Sequence, residues 1–289
     1  MRYAFVSTLL LASLLLAACG SPGDPAPGPG SDQPTATSAS EPVASEITVA
    51  GSTSVQPLAE VLAEAFMAIN PGVRITVQGG GSSVGVKSAG QGTADIGTAS
   101  RSVKEEELVE FPDLQVFTIA RDGIAIVVHP DVPVDAVTKD QVKGIYEGSI
   151  TMWSEVGGPS VPIIVVGREE GSGTRGAFGS LIMGDEEFAM VETAILQPSN
   201  GAVRTTVSTT PYSIGFVSFG YLDGSIKPLA IDGVEATVEN ALNGEYPVVR
   251  PLNMLTKGEP SGAVKGWLDF ILSHDGQAIV ADEGYLAAQ

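Results

Sequence analysis

The chain has 289 residues, with 15 Lys and Arg against 34 Asp and Glu, and its formal net charge is −19. This charge excludes a nucleic-acid binder, because such proteins need Lys and Arg to displace counterions from phosphates, and it disfavours anionic membrane surfaces. One Cys and two His cannot form an intramolecular disulfide or a zinc site of four Cys and His ligands. Carboxylate-rich metal sites are not excluded by these counts, but no metal or other cofactor is predicted.

The N-terminal segment predicts export. Residues 1–18 combine Arg2 with an apolar run of about 14 residues, which is too short to span ~30 Å of hydrocarbon comfortably and is typical of a signal peptide. The following Leu16-Ala17-Ala18-Cys19 resembles a bacterial lipobox, which predicts a lipidated (palmitate-carrying) Cys19 as the mature N-terminus. Residues 19–45 are mostly Pro, Gly, Ser, Thr and Ala, and such a segment cannot bury enough apolar surface to offset its ordering entropy. It is predicted to be a disordered tether.

Strands and helices alternate through the first part of the remaining chain. Short β-branched runs at 47–50 and 73–77 predict strands, and apolar residues at helical spacing predict helices over 55–69 and 83–91. A third strand is expected near Ala94–Gly97, followed by a short acidic helix. Three successive β-then-α units favour a parallel, doubly wound sheet.

The second part continues this pattern. A long β-rich stretch covers 117–129, and Thr138-Lys139-Asp140-Gln141 matches a capping box that opens a helix toward Tyr146. Another strand is predicted at 162–167, and an amphipathic helix surrounds Trp267. The sequence therefore predicts an α/β protein, plausibly with two lobes.

Four turns share one composition, rich in Gly and in Ser or Thr hydroxyls. They are Gly51–Ser54, Gly79–Ser83, Thr98–Arg101 and Gly171–Thr174. The first turn of a helix presents unpaired N–H groups at the positive end of its dipole, and glycines let an anion approach the backbone. Arg101 and Arg168 flank two of these turns. The pattern predicts a site for a tetrahedral oxyanion, although ordinary helix caps use the same residues.

An ordered set of motifs resembles a known family. The runs AGSTSVQP, QGGGSSVGVK, ADIGTASR, GREEGSGTRGAF, PYSIGFVSFGYL and RPLNMLTKGEPSGAVKGWLDFILS are similar to those of the phosphate-binding proteins of ABC-type phosphate importers. The resemblance implies a periplasmic-binding-protein fold of type II, with two α/β lobes joined by a hinge and the ligand in the cleft. It implies lobe 1 over 46–120 plus 228–289 and lobe 2 over 121–227.

The resemblance also implies ligand positions and a role. The phosphate-binding residues are expected to be Thr53, Ser54, Ser82, Ser100, Arg101, Arg168, Ser172, Gly173 and Thr174, with Glu170 bracing Arg168. Some members have an aspartate at the position of Arg101, which accepts the proton of hydrogen phosphate and rejects sulfate. Here another group, such as Asp95 or Glu169, must supply that discrimination, or the discrimination is weaker. The implied protein is a monomeric, lipid-anchored receptor on the extracytoplasmic face of the membrane that delivers phosphate to permease subunits.

Other readings of the same residues stay open. A binding protein for sulfate, molybdate or tungstate would use the same donors. A secreted serine hydrolase would use Ser83 of the GxSxG-like run, with His129 or His274 as base. A metal-dependent phosphatase is disfavoured, because Glu105–Glu107 is interpreted as a solvated helix face. No chemical step is therefore expected.

Overall fold

The computed structural model describes residues 44–288 of the chain. The predicted signal peptide, Cys19 and nearly all of the predicted tether lie outside these residues. Between residues 44 and 288, no helix is both long enough and apolar enough to cross a membrane.

Strands and helices alternate along the described chain. The strands are β1 (Ser45–Gly51), β2 (Val73–Gly79), β3 (Ile96–Ala99), β4 (Leu114–Val128), β5 (Ala136–Val137), β6 (Ile164–Arg168), β7 (Ile195–Gln197), β8 (Ser213–Ser218), β9 (Lys227–Pro228), β10 (Ala230–Ile231), β11 (Val249–Lys257) and β12 (Leu286–Ala287). The α-helices are α1 (Gln56–Ile69), α2 (Ser82–Gln91), α3 (Glu105–Glu110), α4 (Lys139–Glu147), α5 (Gly173–Phe178), α6 (Asn200–Thr209), α7 (Val238–Leu242), α8 (Gly262–Leu272) and α9 (His274–Asp282). A π-helical turn (Gly179–Met183) continues α5, and 3₁₀ turns cover Trp153–Val156 and Phe219–Tyr221.

Local sequence explains the element bounds. Helix α1 buries Leu58, Leu62 and Phe66 on one face, as the apolar spacing predicts. The capping box of α4 is confirmed, because the Thr138 hydroxyl accepts a hydrogen bond from the Gln141 N–H while the Gln141 side chain accepts one from the Thr138 N–H.

The sheet combines parallel and antiparallel strands in the order β2-β1-β3-β11-β4-β8-β6-β7. Strand β1 pairs in parallel with both β2 and β3, as the repeated β-then-α units predict. Strands β4 and β11 pair antiparallel with each other and join the N-terminal strands to β8 and β6. The Ser- and Gly-rich turns begin at the carboxyl ends of β1, β2, β3 and β6, and β6 runs opposite in direction to the three N-terminal strands.

Two large hydrophobic clusters lie along the sheet. The N-terminal core, defined by residues such as Ile47, Leu62, Ile96 and Trp267, includes Ile119 and Leu252 of the two long strands. The central core, defined by residues such as Tyr146, Phe178, Phe216 and Val248, includes Ile124 to Val128 of β4. Strands β4 and β11 therefore run from one core toward the other.

Candidate functional site

The structure brings the four Ser- and Gly-rich turns together. The turn after β1 meets the turn after β6, where Ser54 Oγ lies 3.0 Å from Thr174 Oγ1. The turn after β2 meets the same region, because the Ser83 N–H donates to the Gly171 carbonyl at 3.1 Å. The turn after β3 joins them through the Ser100 N–H, which donates to Ser82 Oγ at 3.0 Å. Residues far apart in sequence thus form one cluster of hydroxyl groups.

Gly173, the first residue of α5, lies at the closest approach in this cluster. A Cβ atom built on it would be 2.0 Å from Ser82 Oγ and 2.7 Å from Ser100 Oγ. No real Cβ contact is that short, so only glycine fits between these two hydroxyls. Ser172 precedes it as the N-cap of α5, with its hydroxyl accepting from the Arg175 N–H at 3.2 Å.

The predicted hydroxyl ligands are almost completely shielded from solvent. The most exposed of them is Thr53 at 7%. Hydroxyls are polar groups that pair with other polar groups when buried, and here several pair with one another or with backbone N–H groups. The buried set comprises Thr53, Ser54, Ser82, Ser100, Ser172 and Thr174.

Arg168 lies at the end of β6 with only 1% of its surface exposed. Its Nε and Nη2 atoms both bind the Glu169 carboxylate at 2.9 Å, and they also donate to the carbonyls of Gln197 and Pro198. The third nitrogen, Nη1, is buried and has no hydrogen-bond partner among residues 44–288. A buried guanidinium N–H without an acceptor is costly, so this atom is a donor available to an acceptor that enters the cluster.

The carboxylate that braces Arg168 is Glu169, and the expectation that Glu170 does so is wrong. Glu170 is exposed, and its side chain makes no ion pair or hydrogen bond with Arg168 in the described structure. The two glutamates are adjacent in the turn after β6, and Glu169 is the one whose carboxylate faces the guanidinium.

Arg101 is also placed differently from the expectation. It is 4% exposed, and its two terminal nitrogens bind the Glu107 carboxylate at 2.7 and 2.8 Å. Burial alone would raise the pKa of Glu107, but hydrogen bonds from Arg101 and from the Lys104 backbone lower it below its ordinary value. Glu107 is therefore a buried ion-pair partner, and the interpretation of Glu105–Glu107 as a wholly solvated face is wrong for it. Arg101 Nη2 still reaches Ser83 Oγ at 3.2 Å, so Arg101 borders the cluster.

Three residues of the cluster were not predicted from the sequence. Asn200, the first residue of α6, donates from Nδ2 to Thr53 Oγ1 at 3.1 Å and to Ser54 Oγ at 2.9 Å. Arg250 in β11 donates to Ser54 Oγ at 2.8 Å and to Ser100 Oγ at 3.2 Å. Asp122 in β4 pairs with Arg250 at 2.8 Å, and this ion pair is completely buried.

The charges of these groups act on one another. Burial raises the pKa of the Asp122 carboxyl, and the Arg250 guanidinium opposes that rise. Burial lowers the pKa of Arg250, Asp122 opposes this change, and the positive charge of Arg168 adds to it. The positive charge of Arg168 therefore acts on Arg250, although each guanidinium is paired with a carboxylate of its own.

Signals for these three residues exist in the sequence. Asp122 is a charged residue inside a long apolar β-rich stretch, and Asn200 follows Pro198-Ser199 in one more hydroxyl-containing turn before a helix. Arg250 lies in the RPLNM run, which carries part of the family resemblance.

The substitutes considered for the missing aspartate are both occupied. Asp95 accepts hydrogen bonds from the Thr48 N–H and hydroxyl, each at 2.8 Å, at an exposed position, and Glu169 is committed to Arg168. Among the described residues, the carboxylate in the centre of the cluster is Asp122, and it already accepts from Arg250 and from the Phe219 N–H.

The groups needed for hydrolysis do not assemble. Ser83 Oγ accepts from Arg101, and within residues 44–288 neither histidine lies in hydrogen-bond contact with it. His129 Nδ1 accepts from the Asp131 N–H, and His274 is 96% exposed beside Asp275. No group of His, Cys, Asp and Glu suited to holding a metal ion occurs in the described part of the chain.

A cavity of about 290 Å³ opens beside the cluster. Its wall includes Ser83, Arg101, Lys104, Ser172 and Glu187. Lys104 Nζ binds Glu187 at 2.7 Å across this opening, and that hydrogen bond raises the pKa of Lys104. The buried donors, the flanking cavity and the helix N-termini define a binding protein for a small anion.

Comparison with known proteins identifies the family. The model of the PBP superfamily domain matches residues 36–275. The phosphate-binding protein PstS of Bacillus subtilis is 36% identical over 287 residues, covering 97% of this chain and 93% of that protein. The chain therefore belongs to the PBP superfamily and, within it, to the family of PstS phosphate-binding proteins. The PstS of Pseudomonas aeruginosa strain PAO1 is 30% identical and covers 84% of this chain.

Solved structures agree with this assignment. A crystal structure from Clostridium perfringens, described as that of a phosphate ABC transporter substrate-binding protein with bound phosphate, has a TM-score of 0.80 and 41% identity, and covers 84% of this chain and 100% of that one. An ABC-type phosphate transport receptor from Vibrio cholerae has a TM-score of 0.69 and 36% identity, over 83% of this chain and 99% of that one. These structures confirm the predicted α/β fold of the periplasmic-binding-protein class.

Proposed function

We propose that this protein captures inorganic phosphate in the buried hydroxyl cluster and delivers it to the permease of an ABC transporter. The observation that carries the proposal is Arg168 Nη1, a buried N–H donor without a protein acceptor. Relatives that cover most of the chain are named as phosphate-binding proteins, and a solved relative contains bound phosphate.

The chemistry of the cluster suits a tetrahedral oxyanion. Its hydroxyls, the N-termini of α2 and α6, and the Arg168 guanidinium are all hydrogen-bond donors. Four oxygens with many lone pairs can accept from several of these donors at once, and donors to a charged acceptor form stronger bonds than neutral pairs do. The overall charge of −19 does not oppose this, because salt screens exposed charges beyond ~8–10 Å while the buried donors act locally.

Binding without a chemical step fits the same geometry. A hydrolase would need a base beside its nucleophile, and Ser83 has Arg101 there instead. Incubation of the purified protein with phosphate esters should release no phosphate over time. Turnover that Ser83→Ala abolishes would establish an enzyme.

The two cores support a proposal of two lobes that close on the ligand. Thr53, Ser54 and Ser82 follow strands of the N-terminal core, whereas the turn after β6 belongs to the central core. The proposed lobe boundaries remain those implied by the sequence, except that residues 229–248 pack within the central core. Their packing favours a return to lobe 1 near Val249 instead of 228.

Selectivity among oxyanions is tested by calorimetric titration of the purified protein, freed of endogenous phosphate, with phosphate, sulfate, molybdate and tungstate. We expect 1:1 binding of phosphate that is tighter than binding of the other ions. Tight binding of sulfate or molybdate with none of phosphate would assign the protein to another oxyanion. Because Arg101 is paired with Glu107 and offers no acceptor for a ligand proton, sulfate is the most informative competitor.

We further propose that Cys19 carries a lipid anchor that holds a monomeric receptor on the extracytoplasmic face of the membrane. The proposal rests on the lipobox-like Leu16-Ala17-Ala18-Cys19 at the end of the apolar N-terminal run. Metabolic labelling with palmitate should mark the parent protein in the membrane fraction. The Cys19→Ala variant should carry no label, and a labelled Cys19→Ala variant would contradict the assignment.

A further inference from the structure

Ser54 occupies an unusual position in the hydrogen-bond network. Its Oγ atom accepts from Arg250 Nη2 at 2.8 Å and from Asn200 Nδ2 at 2.9 Å, and it lies 3.0 Å from Thr174 Oγ1. A guanidinium has no acceptor atom, so Arg250 can only donate in this contact.

The orientation of the Asn200 amide is fixed independently. Its Oδ1 accepts from the Ser218 backbone N–H at 3.1 Å, and a backbone N–H can only donate. The oxygen of the amide must therefore face Ser218, and the NH₂ group must face Thr53 and Ser54. Both lone pairs of Ser54 Oγ are consequently used by obligate donors.

The two accepted hydrogen bonds leave the Ser54 hydroxyl proton pointing toward Thr174. A hydroxyl has one hydrogen and two lone pairs, so Ser54 must donate to Thr174 Oγ1. Thr174 then accepts from Ser54, and its own hydrogen is free to point at a ligand. The Thr53 and Ser100 hydroxyls each accept from a donor-only group as well, Asn200 and Arg250 respectively.

We propose that Arg250 and Asn200 act as positioning residues that set the direction of the hydroxyl protons, so that Thr174 donates to the bound oxyanion. The inference rests on the proposed function, because it concerns how the same site recognises phosphate. Arg250 itself is held by two bonds to Asp122, at 2.8 and 3.2 Å. The buried ion pair therefore serves to aim Arg250 at Ser54 and Ser100.

The mechanism predicts coupling between Arg250 and Thr174, which are connected through Ser54. In Arg250→Lys, the ammonium group keeps the charge beside Asp122, but a single point donor cannot reproduce the forked contact with Ser54 and Ser100. One lone pair of Ser54 is then free, and Thr174 can donate to Ser54 instead of to the ligand. The Thr174 hydroxyl should therefore contribute little to the free energy of phosphate binding in that variant.

A double-mutant cycle read by calorimetric phosphate titration tests this coupling. In the parent, Thr174→Val removes a hydrogen bond to a charged ligand and should weaken binding about 10- to 100-fold. In the Arg250→Lys background, the same change should weaken binding less than about threefold, because its donor is already redirected. An equal fold-loss in both backgrounds would overturn the inference, because a merely structural role for Arg250 gives additive effects.

Two further variants keep the test decisive. Asn200→Ala frees the other lone pair of Ser54 and should show the same coupling to Thr174→Val. It therefore replaces Arg250→Lys in the double-mutant cycle if Arg250→Lys fails to fold. Arg204→Lys, at a partly exposed ion pair with Asp223, is the matched control and should leave the cost of Thr174→Val unchanged. Failure of the parent to bind phosphate would refute the proposed function, whereas phosphate binding with an additive cycle would refute only the positioning role.

Discussion

Gly173 offers a way to separate ligand binding from folding. It lies in the first turn of α5, and its backbone is not in the left-handed region. An alanine there is therefore acceptable to the helix itself. Its Cβ atom, however, would lie 2.0 Å from Ser82 Oγ and 2.7 Å from Ser100 Oγ.

Gly173→Ala should raise the free energy of the closed form of the protein, in which α5 lies against Ser82. Ordinary van der Waals contact begins at about 3.4 Å, so Ser82 would have to retreat by more than an ångström. Overpacking of this kind costs about 1–3 kcal/mol. In the proposed two-lobe mechanism the ligand-free protein relieves the collision by opening, so the cost appears in the dissociation constant, as a loss of about 5- to 150-fold in phosphate affinity.

Calorimetric titration and thermal unfolding of the phosphate-free protein measure the two effects separately. We expect Gly173→Ala to bind phosphate more weakly while unfolding at the same temperature as the parent or a higher one. Gly266→Ala in α8 is the matched control, because its Cβ would meet Phe66 at an ordinary 3.6 Å, and its phosphate affinity should not change. Parent-like affinity of Gly173→Ala would refute the close approach of α5 to Ser82 in the bound form.

Three further predictions follow from the charged groups. Arg168→Lys should weaken phosphate binding at least about 100-fold by calorimetry, because a point charge cannot replace a guanidinium that holds Glu169 and still presents Nη1; near-parent affinity would contradict the assignment of that atom. Glu107→Gln should lower the free energy of unfolding at pH 7 by about 1–3 kcal/mol, since it removes the closer of two carboxylates beside a buried guanidinium and leaves only the partly exposed Glu186 at 3.6 Å. The pKa of Glu107 in the folded protein lies below its ordinary 4.5. Its contribution to the free energy of unfolding is therefore present above pH 4.5 and is lost as the pH falls through the folded pKa. Unfolding free energies of parent and variant, measured in urea, should become equal in acid, and a constant difference from pH 7 to pH 3 would exclude this role. Lys104→Met should weaken phosphate binding no more than about fivefold, since Glu187 is 76% exposed and such surface pairs contribute little. The salt dependence of phosphate affinity should also decrease, and an unchanged salt dependence would show that the Lys104–Glu187 pair does not contribute to binding.

The four Ser- and Gly-rich turns could be predicted from the sequence, because their chemistry is local. The Ser, Thr and Gly residues of each turn are contiguous along the chain, and the parallel pairing of β1 with β2 and β3 places the first three turns at one sheet edge. Strand β6 runs in the opposite direction to these strands, so the approach of its turn is a property of the tertiary fold. The same locality made the capping box of α4 and the bounds of α1 predictable within a few residues.

Partners distant in sequence could not be predicted in the same way. Arg250 contacts Ser54 across 196 positions, and Asn200 contacts it across 146, so no spacing rule links them. The pairing of Arg101 with Glu107 was missed for another reason. A run of three glutamates at the start of a short helix has the composition of a solvated face, and only the packing of α3 against the turn after β3 reveals that one of the three is turned inward.

The most direct test of the central claim is a crystal structure of the protein grown with phosphate. We predict a single phosphate whose oxygens lie about 3 Å from Arg168 Nη1 and from the Thr174 hydroxyl, with Gly173 against it and Arg101 still paired with Glu107. A phosphate bound elsewhere, or an Arg168 Nη1 that hydrogen-bonds to protein in the complex, would contradict the account.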